Sequence, residues 1–94
     1  MSKNALKSYR QLERLVKGFA NHRRIEIMEL LYNEPELSVA EISENLRINF
    51  KTASEHIRRL AIAGLVLKRS AGNSVRHKLT DQAKSILKFL RTLE

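Results

Sequence analysis

Residues 51–78, KTASEHIRRLAIAGLVLKRSAGNSVRHK, combine two different periodicities that meet at a single glycine. Before Gly64, apolar residues recur every three or four positions, at Ala53, Ile57 and Leu60, which predicts an amphipathic helix. After Gly64, two short basic segments flank the Gly-Asn pair of SAGNS, which predicts a hairpin with a tight turn. The apolar side would anchor the helix, so that its other side and the adjacent hairpin can be presented to phosphates.

The segment before this helix carries complete helix start signals. Ser38 and Glu41 have the spacing of a capping box, so a short helix is expected to begin there. Asn49 is placed to cap the helix that follows, after a turn of only a few residues. A short capped helix, a tight turn, a helix with a polar outer side and a basic hairpin together predict a winged helix-turn-helix.

Two further helices are predicted near the ends of the chain, each with an apolar stripe on one side. The first stripe consists of Ala5, Tyr9, Leu12, Val16 and Phe19. The last helix begins at Thr80-Asp81, and its stripe consists of Ala83, Ile86, Leu87, Leu90 and Leu93. Between the first stripe and the capping box, HRRIEIMELLYN is apolar on much of its surface, so this helix is expected to be central.

The predicted fold class is mainly α with a small β-hairpin wing, in the order helix-helix-helix-helix-strand-strand-helix. A chain of 94 residues forms one domain, here 1–94. Within it we expect dimerisation helices over residues 1–18 and 80–94, the helix-turn-helix over 38–64 and the wing over 65–79. A chain this short buries roughly 60–70% of its unfolded surface, so dimerisation would add stability that a small core lacks.

The net charge of +8 is unevenly distributed along the chain. Residues 1–25 carry +6 and residues 46–78 carry +7, whereas residues 26–45 contain six Glu and no Lys or Arg. Basic blocks of this size favour a polyanionic partner, either a nucleic acid or an acidic membrane surface. The chain has no cysteine, no apolar run near the roughly 20 residues of a membrane span and no signal-peptide pattern. These absences predict a soluble cytoplasmic protein. If its polyanionic partner is DNA, it would be nucleoid-associated, with no membrane contact.

The sequence from about Phe19 to Thr80 resembles the arsenic-repressor-like (ArsR) winged-helix transcription regulators. The resemblance is carried by ELSVAEISENL, by TASEHIRRLAIAGLV and by RSAGNSVRHKL. It implies a homodimer that pairs through its first and last helices. It also implies that the recognition helix enters the major groove of double-stranded DNA, with the wing against the neighbouring backbone or minor groove. The MarR-like and other small winged-helix groups share most of this pattern.

The chain departs from the family pattern at the positions that bind metals. Metal-sensing members carry a Cys-x-Cys motif, and here Ser38 and Ala40 occupy its positions. Other members bind zinc through the last helix, where this chain offers Asp81 and Glu94 but no histidine. We therefore expect no metal site and no cofactor, and the sequence identifies no effector. The glycine that the family usually has in the turn is replaced by Arg47.

The helix geometry and the resemblance together select the candidate DNA-binding residues. Arg58 is expected to read guanine, and Glu55 to accept from cytosine N4 or to repel phosphate and so sharpen specificity. The wing is expected to contact phosphates. The complete predicted set is Lys51, Thr52, Ser54, Glu55, Arg58, Arg59, Lys68, Arg69, Asn73, Ser74, Arg76 and His77. The predicted dimer interface is Ala5, Tyr9, Leu12, Val16, Ile86, Leu87, Leu90 and Leu93.

These features predict a sequence-specific, homodimeric transcriptional regulator, with repression as the expected outcome. An enzyme is not expected, because no nucleophile–base pair, paired carboxylates, glycine-rich phosphate loop or metal cluster is visible. Two other functions stay open: sequence-tolerant coating of nucleoid or chromatin DNA, and a winged helix used for protein–protein or RNA contact. An acid such as Glu55 on the outer side of the helix argues against a coating protein. Only five aromatic residues are present, which leaves little surface for stacking RNA bases.

Overall fold

The computed structural model describes residues 6–94, which form five helices and one antiparallel hairpin. The helices are α1 (Tyr9–Phe19), α2 (His22–Asn33), α3 (Val39–Leu46), α4 (Phe50–Ile62) and α5 (Asp81–Arg91), and the strands are β1 (Val66–Ala71) and β2 (Ser74–Leu79). The predicted order of elements is confirmed. None of these helices has the length and apolarity needed to cross a bilayer. Ala5, which was predicted to lie in the dimer interface, is outside the described residues.

Every one of these helices begins next to a side chain that accepts a hydrogen bond from an amide of the first turn. The predicted capping box of α3 is present, because the Ser38 amide donates to Glu41 Oε1 at 2.9 Å and the Glu41 amide donates to Ser38 Oγ at 3.2 Å. Asn49 caps α4 as predicted, by accepting from the amides of Lys51 and Thr52. Each cap satisfies an amide that has no partner inside its helix and contributes about 1 kcal/mol.

The core is built around α2, which contributes the fully buried residues Ile27, Met28 and Leu31. The predicted apolar ridge of α4 packs in this core, and its residues Ala53, Ile57 and Leu60 are at most 1% exposed. The remaining buried apolar residues come from the other elements and their connections, and they are Ile42, Leu65, Val66, Leu79, Ala83 and Leu87. One small core therefore fixes the orientation of α4.

Leu87 corrects the predicted dimer interface. It is only 9% exposed and belongs to the core of its own protomer, so little of its side chain is available to a partner. Together with Ala83 it attaches α5 to the rest of the domain. Ile86 and Leu90 are half-buried and Leu93 is exposed, so the apolar stripe of α5 is wider than the strip that the core covers. The sequence pattern could not separate the covered edge of the stripe from the uncovered edge.

α1 lies on the outside of the domain and has no buried residue. A close contact joins it to the end of α4, because a Cβ atom at Gly18 would lie 2.5 Å from Cβ of Ala63. Any side chain at this position would push the two helices apart. The predicted stripe residues Tyr9, Leu12 and Val16 are all exposed, so α1 leaves an apolar surface in contact with solvent.

The wing is joined to the segment before α3 by a bridge that the sequence did not predict. β1 and β2 pair along their whole length, and Gly72 provides the left-handed turn between them with φ of 63°. Leu37 forms an isolated antiparallel bridge with His77, whose amide donates to Leu37 O at 3.0 Å. A bridge of one residue has no alternating pattern by which it could be predicted.

The turn between α3 and α4 contains a left-handed residue that is not glycine. Arg47 has φ 55° and ψ 46°. The Ile48 amide donates to Ser43 O at 3.1 Å and the Arg47 amide donates to Glu44 O at 3.3 Å, which is the bonding pattern of a Schellman motif. A side chain in this conformation costs about 1–2 kcal/mol, because Cβ approaches the following carbonyl oxygen. The turn thus forms without the usual glycine but carries backbone strain.

We predict that Arg47→Gly raises the free energy of unfolding by up to about 1 kcal/mol. The relief of the left-handed strain should exceed the entropy that glycine adds to the unfolded chain. Urea unfolding followed by circular dichroism measures the difference. Arg47→Ala is the matched control and should bring no gain, because it keeps Cβ. If Arg47→Gly proves no more stable than Arg47→Ala, the turn is not strained.

Candidate nucleic-acid interface

α4 divides into a buried side and an exposed side that is mostly polar, with Phe50 and Ile62 at the two ends of the helix as exposed apolar residues. Its ridge is held in the core, while Lys51, Ser54, Glu55 and Arg58 are exposed, as the helix geometry predicted. Thr52 and Arg59 are exposed as well. The Asn49 cap and the α3–α4 turn fix the start of the helix, so these side chains project from a rigid support. We call this exposed side of α4 the outer face.

A cluster of one acid and two arginines occupies the centre of the outer face. Arg58 donates from Nη2 to Glu55 Oε1 at 2.7 Å and from Nε to Glu55 Oε2 at 3.0 Å. Arg59 donates from Nε to Glu55 Oε1 at 3.2 Å. The hydrogen bonds from Arg58, together with that from Arg59, lower the pKa of Glu55 to about 2. Glu55 is therefore ionised at neutral pH and holds both arginines along the surface of α4.

The two arginines of the wing are also paired within the chain. Arg69 Nη2 lies 2.8 Å from Glu36 Oε1, and Arg76 Nη1 lies 2.8 Å from Glu41 Oε1. Both acids belong to the segment around the start of α3, so these pairs hold the wing against the helix-turn-helix. Lys68, by contrast, is exposed and has no acidic partner among residues 6–94.

Lys78 also lies in the wing, where the sequence favoured phosphate contact for the basic residues. Like Lys68 it is exposed, and no ion pair engages it in the described part of the chain. The positive charge that the wing can offer to a phosphate therefore resides mainly on its two lysines. At the tip, Asn73 is exposed, whereas Ser74 is half-buried and donates to Ala71 O at 3.3 Å.

The prediction that His77 contacts DNA is wrong for its side chain. The residue is 1% exposed, and its Nδ1 lies 2.8 Å from Leu37 O. Burial lowers the pKa of the imidazole, so the neutral form is favoured inside the fold. His77 therefore serves as a structural link between β2 and the segment before α3. The basic residues on either side of it suggested a wing contact, and its inward direction depends on strand register, which the sequence did not specify.

The acidic block of residues 26–45 is largely neutralised within the chain. Four of the six form ion pairs: Glu26 with Arg23, Glu29 with Arg91, Glu36 with Arg69 and Glu41 with Arg76. These pairs engage four arginines and so reduce the positive charge that those residues can offer to a partner.

A basic cleft between α1 and the end of α4 is a feature that the predicted site set omitted. It has a volume of about 490 Å³, and no acidic residue lines it within residues 6–94. Its charged lining residues are Lys7, Arg14, Lys17, Arg24 and Arg59. The charge of +6 on residues 1–25 was the signal in the sequence, but only the packing of α1 on α4 shows that part of it lies beside the outer face.

Arg24 has a structural role at the back of this cleft. It donates from Nε to His56 Nδ1 at 3.2 Å, and from Nη1 to the carbonyl oxygens of Lys17 and Gly18 at 3.1 Å. It therefore joins α2 to both α1 and α4. Burial and the charge of Arg24 lower the pKa of His56, which keeps the imidazole neutral and able to accept this hydrogen bond.

Comparison with known proteins agrees with this geometry. The sequence pattern of the bacterial regulatory proteins of the arsR family matches residues 21–68, half of the chain. The transcriptional activator HlyU of Vibrio cholerae serotype O1 is 34% identical over 80 residues, which are 84% of this chain and 73% of HlyU. The structure of reduced HlyU from V. cholerae N16961 has a TM-score of 0.76 at 32% identity and covers 88% of this chain and 87% of that chain.

A second structural relative is the homodimeric winged helix-turn-helix DNA-binding domain of Mb0332 from Mycobacterium bovis. It has a TM-score of 0.81 at 27% identity, over 95% of this chain and 88% of that chain. The matched pattern includes α2, the helix-turn-helix and the start of β1, which are the elements that build the outer face and support it. The chain therefore belongs to the arsR family of bacterial regulatory proteins and is a DNA-binding winged-helix transcriptional regulator.

Proposed function

We propose that the protein binds specific double-stranded DNA sites as a homodimer and controls transcription from them without a metal or other cofactor. The observation that carries this proposal is the outer face of α4, which is polar and exposed while the opposite side is fully buried. A helix held in this way can enter a major groove with its side chains directed at base edges. The protein would act on the nucleoid, in the cytoplasm.

Dimer formation is supported by apolar surface that the protomer does not cover. Tyr9, Leu12 and Val16 of α1 are exposed, as are Phe89 and Leu93 at the end of α5. Exposed apolar side chains grouped along a helix are costly in water and are typical of a contact between subunits. Residues 1–18 and 80–94 therefore remain our proposed dimerisation segments, and the relative from M. bovis is described as homodimeric.

Within the DNA-binding surface we propose two kinds of contact. The outer face of α4, with Lys51, Ser54 and Arg58, would contact base edges and the flanking phosphates. The wing over residues 65–79 would contact the backbone, chiefly through Lys68 and Lys78. Thr52, Arg59 and Asn73, three further members of the predicted set, are also exposed. Lys7 and Arg14 of the basic cleft would extend the positive surface beyond the end of α4.

The direction of regulation follows from where the operator lies. A dimer that binds across a promoter excludes the polymerase from it. We propose this position of the operator, and with it repression. The V. cholerae relative carries the name of an activator. A reporter fused to a promoter that contains the selected site, compared with and without the protein, distinguishes the two outcomes.

A charge in the apolar stripe of α1 is expected to abolish the dimer. Leu12→Asp should sediment as a monomer at micromolar concentration, because an ionised carboxylate inside an apolar interface is strongly unfavourable. Leu67→Asp is the matched control, since this leucine is similarly exposed but lies in the wing. A wild-type protein that sediments as a monomer would contradict the proposed dimer.

Base reading and phosphate binding are expected to respond differently to mutation. Arg58→Ala should weaken binding to the selected site about tenfold to a hundredfold and binding to scrambled DNA much less. Lys68→Ala should weaken binding to the selected and to the scrambled duplex alike. It should also reduce the slope of log K against log salt concentration by about one unit for each subunit. Lys68 is used for the wing in place of Arg76, because Arg76→Ala would also remove the ion pair with Glu41 that holds the wing against the start of α3. Salt titrations on both duplexes measure these effects.

The same titrations test whether the protein coats DNA without reading it. If Arg58→Ala and Lys68→Ala have identical effects on the selected and the scrambled duplex, α4 does not read bases. The protein would then be a sequence-tolerant coating protein.

Removal of the acid from the outer face is expected to reduce discrimination. Glu55→Gln should raise the affinity for scrambled DNA several-fold, because it releases Arg58 and Arg59 and removes a charge that repels phosphate. Glu44→Gln is the control, since Glu44 is exposed on α3 and has no ion pair in the described chain. Loss of affinity confined to the selected site would instead indicate that Glu55 contacts a base.

A further inference from the structure

The first residue of α4 is an exposed aromatic residue. Phe50 is 57% exposed, although the three ridge residues of the same helix are at most 1% exposed. The chain has five aromatic residues, and the other four lie on α1, α2 and α5. Phe50 is therefore the single aromatic side chain of the helix-turn-helix, and the fold of the protomer does not bury it.

Phe50 is attached to a rigid support. Asn49 Oδ1 accepts from the amide of Lys51 at 2.7 Å and from the amide of Thr52 at 3.3 Å, which fixes the first turn of the helix. On the other side, Ser43 Oγ donates to Ile48 O at 2.7 Å and holds the turn that precedes it. The backbone on both sides of Phe50 is thus restrained, and the ring has only two side-chain dihedrals left to order on binding.

The surroundings of Phe50 favour DNA as the partner. Arg47 and Lys51 are exposed on either side of it, and neither has an acidic partner within the described residues. In a helix-turn-helix, the first residues of the second helix are those that reach the base edges. The apolar stripes proposed for dimerisation lie on α1 and α5, so Phe50 belongs to a different surface.

The chemistry of the major groove then identifies the contact. The base edges in that groove present hydrogen-bond donors and acceptors, and their one apolar group is the C5 methyl of thymine. We infer that Phe50 is a specificity-determining residue that contacts a thymine methyl group in each half-site of the operator. The inference rests on the proposed function, because it requires a sequence-specific site. Beyond the proposed function, the inference names thymine as a base that Phe50 selects and that the polar residues of α4 do not.

The test uses uracil, which is thymine without the methyl group. An operator is first selected from a random duplex library with the wild-type protein, and each thymine in one half-site is then replaced singly by uracil. At one position, uracil should raise the Kd of the wild-type protein about fourfold, as expected when one methyl-sized apolar group of about 0.8 kcal/mol is no longer buried. The Phe50→Ala variant should bind the thymine and the uracil duplex with equal affinity. That affinity should be no higher than the affinity of the wild-type protein for the uracil duplex.

Two further variants separate this contact from a general weakening. Phe50→Leu keeps an apolar side chain and should retain part of the preference for thymine. Tyr32→Ala removes an aromatic residue of almost the same exposure from α2, and it should keep the full preference. The preference should also be the same at two salt concentrations, because a methyl contact releases no counterions.

The outcomes distinguish this inference from the proposed function. If an operator is selected but no uracil substitution affects the wild type more than Phe50→Ala, Phe50 does not read thymine, whereas sequence-specific binding stands. The same conclusion follows if Phe50→Ala weakens binding and keeps the full preference for thymine. If the library yields no preferred site, the proposed function fails, and the inference fails with it.

Discussion

The packing of the α4 ridge against α2 is the interaction on which the rest of the structure depends. Ala53, Ile57 and Leu60 are almost completely removed from water, and a full-sized apolar side chain contributes about 1.5–3 kcal/mol when it is buried. In a domain of this size no second core could replace that contribution. Because the ridge can face only inwards, the opposite side of α4 must face outwards. The direction in which the protein presents its polar residues is thus a consequence of apolar burial.

Ion pairs within the chain decide which basic residues remain available to a partner. Four acidic residues of the middle of the chain pair with arginines, and two of these pairs join β1 and β2 to the segment around the start of α3. Pairs that are this exposed contribute little free energy each, so their main effect is to orient the wing and occupy its arginines. Within residues 6–94, unpaired positive charge then remains on the lysines of the wing, on Arg47 and Lys51 near the start of α4, and on Lys7 and Arg14 of the basic cleft. The local balance of acids and bases, more than the net charge of +8, decides which surface attracts a polyanion.

The features that the sequence predicted correctly are those that depend on a few neighbouring residues. The capping box at Ser38, the cap at Asn49 and the order of helices and strands all follow from local spacing. The errors concern residues whose role depends on contacts between distant segments. His77 is turned inwards by its strand register and its bridge to Leu37, and Leu87 is covered by the core. No short pattern contains that information, because the partners are distant in the sequence.

The ion pairs of the candidate site illustrate the same limit. Arg69 and Arg76 have the composition expected of a DNA-binding wing, and the sequence contains the acids that engage them. Their pairing requires Glu36 and Glu41 to lie beside the hairpin, which only the folded chain establishes. The outer face of α4 was predictable because one helix supplies all of it.

The contact between Gly18 and Ala63 has a mechanical consequence for a protein of this architecture. It places α1 directly on the end of α4, with only the methyl group of Ala63 between the two backbones to absorb a displacement. In the proposed dimer, α1 also belongs to the joint between subunits. A small rotation of that joint would therefore be transmitted to both recognition helices and would change their separation, which must match a half-site spacing of about 34–36 Å. A signal that alters only the geometry of the joint could thus detach the protein from DNA without touching any residue of the reading surface.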